Sequence, residues 1–414
     1  MLTIAAGTAV GQVLALCAAP VLTRLFSPSD FGILTITTAL AASFAAVAAL
    51  RLELAVPLPE SERDARSLVA LGLLVAAASG AIGMILVAAG GGWVAQLFDE
   101  PALRPWLWFV PLYASIVASY ALLNQLAIRH QRYGAVGRRN LVSSVMTLST
   151  QISTGAAGLR PGGLVLGLTA GQLVGAASLL KGSGLRSAES RGAGSVASMR
   201  SVLTRYRRFP LLLAPAGLLN VLGLQLPILL IAFSYGSAVA GWLGLTQRVL
   251  ALPVMLVGQA IAQVYLGELS RDQRENGGRT RALFYRTSAR LAGASLVGAA
   301  GLLLFAPAMF RLVFGAEWTT SGDYARALAL GLAAQMVAYP LSQTLVVLGR
   351  QGQQLAWDAG RLLLTVGVVM ACASLHVTAM TAVWALGVAL ALSYFAGWWM
   401  AYRATAALPT QAPS

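Results

Sequence analysis

The 414 residues are 57% hydrophobic and only 10% charged, with a formal net charge of +15, whereas soluble domains are about a quarter charged. That balance leaves too little polar surface to cover a water-soluble globule, which excludes an ordinary soluble enzyme or a nucleic-acid-binding domain. The basic excess reads instead as topology, because Lys and Arg collect on the cytoplasmic side of membrane proteins.

A membrane-crossing helix needs about 20 predominantly apolar residues. Segments of that kind fall at 2–22, 31–50, 68–90, 107–128, 140–159, 162–180, 210–233, 239–263, 289–310, 325–347, 359–376 and 379–402. The first has no basic n-region and no small-residue cleavage site, so it reads as a helix and not as a signal peptide. Ser27-Pro28-Ser29-Asp30 then carries the signature of a capping box with Pro at the first helical position. The fifth and sixth segments are separated only by Leu159 to Gly162, which demands a tight turn. In the sixth, Gly163, Gly167, Gly171 and Gly175 recur at every fourth position and make a ridge for close helix packing. Pro111, Pro215, Pro227, Pro253 and Pro340 fall in or beside apolar segments, where each removes a backbone donor and kinks its helix. Cys17 and Cys372 read as small buried hydrophobes, with neither a disulfide nor a metal role.

The longest polar stretch, 181–209, begins Gly/Ser-rich and ends basic from Arg200 to Arg208. It reads as a linker closing on a short amphipathic segment at the inner leaflet. It divides the chain into an N-terminal six-helix lobe, 1–180, and a C-terminal six-helix lobe, 210–414. Pro20-Val21-Leu22 with Phe26-Ser27 recurs as Pro227-Ile228-Leu229 with Phe233-Ser234. Two related six-helix halves are a transporter signature, and an even helix number makes the repeats parallel. With both termini cytoplasmic, twenty-three of the 29 Lys and Arg fall in inside connections or the tail. The fold class is therefore all-α and multi-pass.

No nucleophile elbow, zincin, Walker or Cys/His metal motif is present in the sequence, and His130 and His376 fall on opposite faces of the membrane. No catalytic residue, metal or cofactor is expected, and without an ATP site transport must be ion-driven or downhill. Ionisable residues at membrane depth are costly and default to function. Arg248, inside the eighth segment, is the clearest case. Arg24 ends the first segment, and Arg51 and Glu53 end the second. Arginines facing one cavity suit an anionic substrate, since guanidinium pairs phosphate oxygens bidentately; snorkelling to headgroups is the other reading of Arg24 and Arg51. Gln12, Asn124, Gln125, Asn220, Gln225, Gln247 and Gln259 form a polar set that binds sugar hydroxyls or bonds helices together.

The run Gly7, Gln12 and Pro20 to Ser27-Pro28-Ser29-Asp30-Phe31-Gly32 resembles the start of bacterial polysaccharide-biosynthesis flippases, as does Arg51 to Pro59. Arg208-Phe209-Pro210, Asn220, Gln225 to Pro227, Gln247 to Pro253, Gly258-Gln259 and Val347 to Gln351 are similar to the second half of that family. The resemblance covers nearly the whole chain. It implies the multidrug/oligosaccharidyl-lipid/polysaccharide exporter superfamily, located in the bacterial cytoplasmic (inner) membrane. It further implies transfer of an undecaprenyl-pyrophosphate-linked oligosaccharide from the inner to the outer leaflet by alternating access. Related lipid II flippases use arginines on helices 1, 2 and 8 for the pyrophosphate, which points to Arg24, Arg51 and Arg248. Glu53 and Asp358 are the candidates for ion coupling. The implied partners are the lipid-linked oligosaccharide and membrane lipids, with glycosyltransferases and a polysaccharide polymerase as candidate protein partners, and no nucleic acid. Two alternatives stand beside this: a cation-coupled multidrug exporter of the same superfamily, and a membrane polysaccharide polymerase or ligase. The first calls for cavity carboxylates, and this chain has more intramembrane Arg than Asp or Glu. The second calls for a large outer loop, and the outer connections here are short.

Overall fold

The computed structural model describes residues 2–183, 195–274 and 279–406. Residues 184–194 of the expected linker, with its Arg186 and Arg191, lie outside the described residues. All regular structure among the described residues is helical. The elements are α1 (Leu2–Leu25), α2 (Pro28–Ala48), α3 (Glu62–Leu97), α4 (Phe109–Arg129), α5 (Tyr133–Ala156), α6 (Gly162–Gly182), α7 (Val196–Arg205), α8 (Ala214–Tyr235), α9 (Ser237–Pro253), α10 (Gln259–Arg274), α11 (Thr280–Phe314), α12 (Thr319–Leu341), α13 (Gln343–Val347), α14 (Gln351–Ser374) and α15 (Ala379–Ala406). Each of the twelve apolar segments is helical. The eighth is α9 running into α10 through a π-helical turn, Val254–Gly258, directly after Pro253.

Among the described residues, eight helical stretches are long and apolar enough to cross a membrane by length and composition, and Ala9–Leu25 is a shorter apolar one. The chain is a multi-pass membrane protein. Helices α5, α9 and α12 fall outside those eight: α9 has 17 residues, α5 is rich in Ser, Thr, Asn and Gln, and α12 carries Asp323 and Arg326. Helices α3 and α11, with 36 and 35 residues, are about 54 and 52 Å long at 1.5 Å per residue, well beyond the hydrocarbon thickness. Their extra turns are charged, with Glu62, Arg63, Asp64 and Arg66 opening α3, so helix outlasts apolarity at that end.

The chain divides into two compact units, residues 1–241 and 242–414. In the first, α2 starts as the sequence predicts. The Ser27 hydroxyl accepts from the Asp30 backbone N–H at 3.2 Å and the Asp30 carboxylate accepts from the Ser27 N–H at 2.8 Å. These two bonds satisfy donors that a helix start otherwise leaves bare. Ala48, Leu52, Leu68, Leu122, Val136 and Val202 form one apolar core. Ile36, Phe98, Leu103, Leu229 and Ala240 form another, in which α8 packs on α2. Helix α7 lies on α3, with the Ser67 and Ser198 hydroxyls 2.7 Å apart.

The glycine ridge of α6 packs on α5. A Cβ at Gly167 would sit 2.8 Å from the Thr147 carbonyl oxygen, and one at Gly171 2.6 Å from that of Ser143. Ser143 donates to the Gly171 carbonyl at 2.8 Å and the Gln151 amide to that of Leu164 at 2.9 Å, closing the interface with polar bonds as membrane helix pairs do. The turn to α6 uses Gly158 at φ +79° and a cis Arg160–Pro161 bond.

In the second unit, α12 is central and packs on α11 and α15. Thr246 donates to the Ser321 carbonyl at 2.7 Å, and Trp242 to that of Glu317 at 2.9 Å. Tyr265, Phe284, Leu341, Leu345 and Ala401 make its core. Cys372 is half-buried and Cys17 is exposed. The expectation of two buried cysteines is thus corrected: Cys17 lies on a face of the apolar helix α1 that the protein leaves uncovered, because apolarity in a membrane protein marks a helix as intramembrane and not each of its residues as buried by protein.

Candidate functional site

The segment after α2 is shaped by two consecutive residues in the left-handed region, Leu50 at φ +51° and Arg51 at φ +58°. Neither residue type favours that region, and such backbone persists where its surroundings over-determine it. The surroundings do so here. Leu52 is fully buried in the core. Arg129 donates to the carbonyls of Pro57 at 3.1 Å and Glu60 at 3.4 Å. Glu62 receives Arg66 at 3.0 Å, Arg129 at 3.3 Å and His130 at 2.7 Å. The loop is therefore fastened to the start of α3 and the end of α4.

Fixed in this way, the half-buried Arg51 side chain pairs with Glu53 at 3.5 Å. Burial pushes the Glu53 carboxyl above the ordinary carboxylate value, partly offset by its own backbone N–H and by Arg51. The Arg51 guanidinium lies against α8 at Gly217, where a Cβ would stand 2.7 Å from its Cζ. Asn220 follows Gly217 by one turn on the same helical face and is exposed. Gln225 is half-buried further along.

Arg24 is exposed near the end of α1. Helix α2, 21 residues and so about 31 Å long, separates it from Arg51, and the two mark opposite ends of that helix. Gln12 is exposed on α1. Asn124 and Gln125 are half-buried on α4, and Asn124 accepts from the Tyr120 hydroxyl at 3.3 Å.

In the second unit, Gln247 is half-buried on α9, Arg248 beside it is exposed, and Gln259 is exposed on α10. Asp358 belongs to a separate group on α14. Arg361 donates to it at 3.3 Å and Gln354 at 3.3 Å. Arg361 also donates to the Tyr394 hydroxyl at 3.3 Å and lies over the Trp357 ring, 5.1 Å from its centroid. Among the described residues, no group of three or more His, Cys, Asp or Glu could hold a metal ion.

Two buried arginines are absent from the expected site. Counting by apolar runs places Arg139 and Arg361 in connections, but α5 begins at Tyr133 and α14 at Gln351. Both residues are therefore well inside helices, and both are buried. Arg139 lies 3.3 Å over the Tyr120 ring and donates to Gln172 at 2.6 Å and Asn140 at 2.9 Å. A Cβ at Gly175 would stand 3.0 Å from its Cζ. The last glycine of the α6 ridge thus makes room for a cation and not for a backbone. The sequence signal was there, since Gly175 continues the ridge in phase opposite a helix that carries an arginine.

With this arrangement in view, the comparisons with known proteins decide the family. The polysaccharide biosynthesis protein family matches residues 21–323. The chain belongs to that family. Teichuronic acid biosynthesis protein TuaB of Bacillus subtilis is 24% identical over 183 residues, 44% of this chain and 38% of that protein. The chain therefore aligns with little more than a third of this curated relative's length. Among solved structures, the lipid II flippase MurJ in an inward closed conformation is similar at TM-score 0.77 and 13% identity, over 97% of this chain and 87% of that one. An inward-facing MATE multidrug resistance transporter of the MOP superfamily is similar at TM-score 0.63 and 13% identity, over 99% and 95%. A MOP superfamily transporter from Pyrococcus furiosus, described by a reversed polarity of its binding pocket, is similar at TM-score 0.61 and 13% identity, over 98% and 95%. The family member thus has the MurJ and MATE fold along nearly its whole length.

Proposed function

We propose that this protein is a flippase that carries an undecaprenyl-pyrophosphate-linked oligosaccharide from the inner to the outer leaflet of the bacterial cytoplasmic membrane. It acts as a carrier and not as an enzyme. The observation that carries this reading is that a chain of the polysaccharide biosynthesis protein family keeps the fold of a lipid II flippase over 97% of its length. A phosphorylated glycan cannot cross hydrocarbon unaided, so a polar path must replace its hydration. On the proposed topology, with both termini cytoplasmic, Arg51 receives the pyrophosphate near the inner leaflet and Arg24 meets it near the outer. Arg248 is the third arginine for the pyrophosphate, the amides bond sugar hydroxyls, and the lobes 1–180 and 210–414 alternate access about the 181–209 linker. Glu53 and Asp358 are the carboxylates available for ion coupling.

The test is the sidedness of the lipid-linked oligosaccharide in cells with and without the gene. Trapping on the cytoplasmic leaflet upon deletion, reversed by the gene, is the expected result. Arg248→Ala at normal membrane level is expected to slow outward exposure about tenfold, the worth of one charge-assisted phosphate contact; full export by that variant removes Arg248 from the site. The MATE fold match supports a second reading, export of cationic drugs. Unchanged sidedness with a loss of dye resistance on deletion selects it over the first.

A further inference from the structure

Three features converge on the Arg51 side chain. Its backbone and that of Leu50 are held left-handed. Its guanidinium is paired with a carboxylate two residues on, Glu53 at 3.5 Å. The same guanidinium lies over a position of α8 that has no side chain, with the Cβ of any other residue at 217 falling 2.7 Å from Cζ and closer still to Nε and Nη2. A contact that short is never tolerated, so a larger residue at 217 and this placement of Arg51 exclude each other. Gly217 also sits in a helix, where Ala is intrinsically the better residue, so local helix stability does not account for a glycine there. Just before it, a π-helical turn at Phe209–Leu213, which contains Pro210 and is followed by Pro215, leads into α8. π turns of this kind gather at functional sites.

We propose that Gly217 is the seat of Arg51: a positioning residue whose missing side chain lets the Nε–Nη2 edge of the guanidinium close on α8, which holds the group for a phosphate oxygen of the passing headgroup. The inference rests on the reading that Arg51 meets the substrate phosphate. Glu53 and the left-handed turn hold the guanidinium from one side and the α8 backbone from the other. A planar five-donor group placed in this way loses little freedom when it takes up a phosphate. Lysine, a compact charge on a flexible stem, has no such edge to seat.

The experiment measures the initial rate of outward exposure of the lipid-linked oligosaccharide in cells, alongside protein level and melting temperature of the purified variants. Arg51→Ala and Gly217→Ala are each expected to slow export about tenfold, one charge-assisted contact, with Gly217→Ala melting no lower than wild type. Gly217→Ala is expected to add nothing on the Arg51→Ala background, and to leave the export rate of Arg51→Lys, whatever its level, unchanged. Wild-type export by Gly217→Ala alongside slow export by Arg51→Ala overturns the seat while leaving the flippase site intact. So does a further loss in either double variant, which would mean that Gly217 acts on the helix and not through the guanidinium. Wild-type export by Arg51→Ala overturns the reading of Arg51 itself.

Discussion

The contact of α6 with α5 makes a quantitative prediction that needs no functional assay. In Gly171→Ala the new Cβ stands 2.6 Å from the Ser143 carbonyl oxygen and collides with the Thr147 hydroxyl. The hydroxyl can rotate away, but the carbonyl is backbone and cannot. Ordinary contact begins at 3.4 Å, so the helices must part there by the difference, about 0.8 Å, an overpacking strain of about 1–3 kcal/mol. The parting stretches the 2.8 Å bond from Ser143 to the Gly171 carbonyl past hydrogen-bonding distance, a further loss of about 1 kcal/mol. At about 2 °C per kcal/mol for a chain of this size, melting should fall by about 4–8 °C. The control is the same substitution at Gly298 on α11, where nothing lies within 4 Å of the added atom; there, helix propensity alone acts and melting holds or rises slightly. Thermal unfolding of the two purified variants, followed by tryptophan fluorescence in one detergent, makes the comparison. Equal melting of Gly171→Ala and Gly298→Ala would falsify the close α5–α6 packing.

Three further outcomes are expected. Gly241→Ala places a Cβ against the Pro28 carbonyl, 2.8 Å from its carbon and 2.9 Å from the Gly32 nitrogen, so it should lower stability by about 1–3 kcal/mol; wild-type melting would refute the close approach of the α9 start to α2. Because burial raises the Glu53 carboxyl above its unfolded value of 4.5, the folded state holds that proton more tightly. Stability should therefore fall as pH rises from about 4.5 through the raised value, and Glu53→Gln should flatten that part of the melting-versus-pH curve; an unchanged slope in the variant would assign it to another group. Asp358→Ala leaves Arg361, whose side chain is 7% exposed, without its carboxylate, and should cost about 3 kcal/mol. Adding Arg361→Leu should recover much of that loss, and strictly additive losses in the melting cycle would show the two are uncoupled.

The helices were legible because they are set by length and apolarity, which a single chain carries on its face. The twelve segments, the Ser27 box and the α6 ridge are all local patterns, readable within about 20 residues. The charged sites were not local. Arg139 meets Gln172 and the Tyr120 ring, and Arg361 meets Tyr394 on another helix. Apolarity also marks where a helix enters lipid and not where it begins, so apolar runs alone place both arginines in connections. Arg51 was named as a site residue, yet its placement depends on left-handed backbone at Leu50 and Arg51, for which Leu and Arg give no signal, and on a glycine far along the chain. A count of intramembrane arginines also says nothing of how each is compensated. Arg51 and Arg361 each have a carboxylate within three residues of sequence, whereas the contacts described for Arg139 are two amides and an aromatic ring. A guanidinium that already shares a carboxylate exchanges one anion for another when it takes a phosphate, which favours release as much as capture. On the proposed function that suits a carrier, and since Arg51 and Arg361 share the property, it is the 26% side-chain exposure of Arg51 against 7% for Arg361 that makes Arg51 the one proposed to meet cargo.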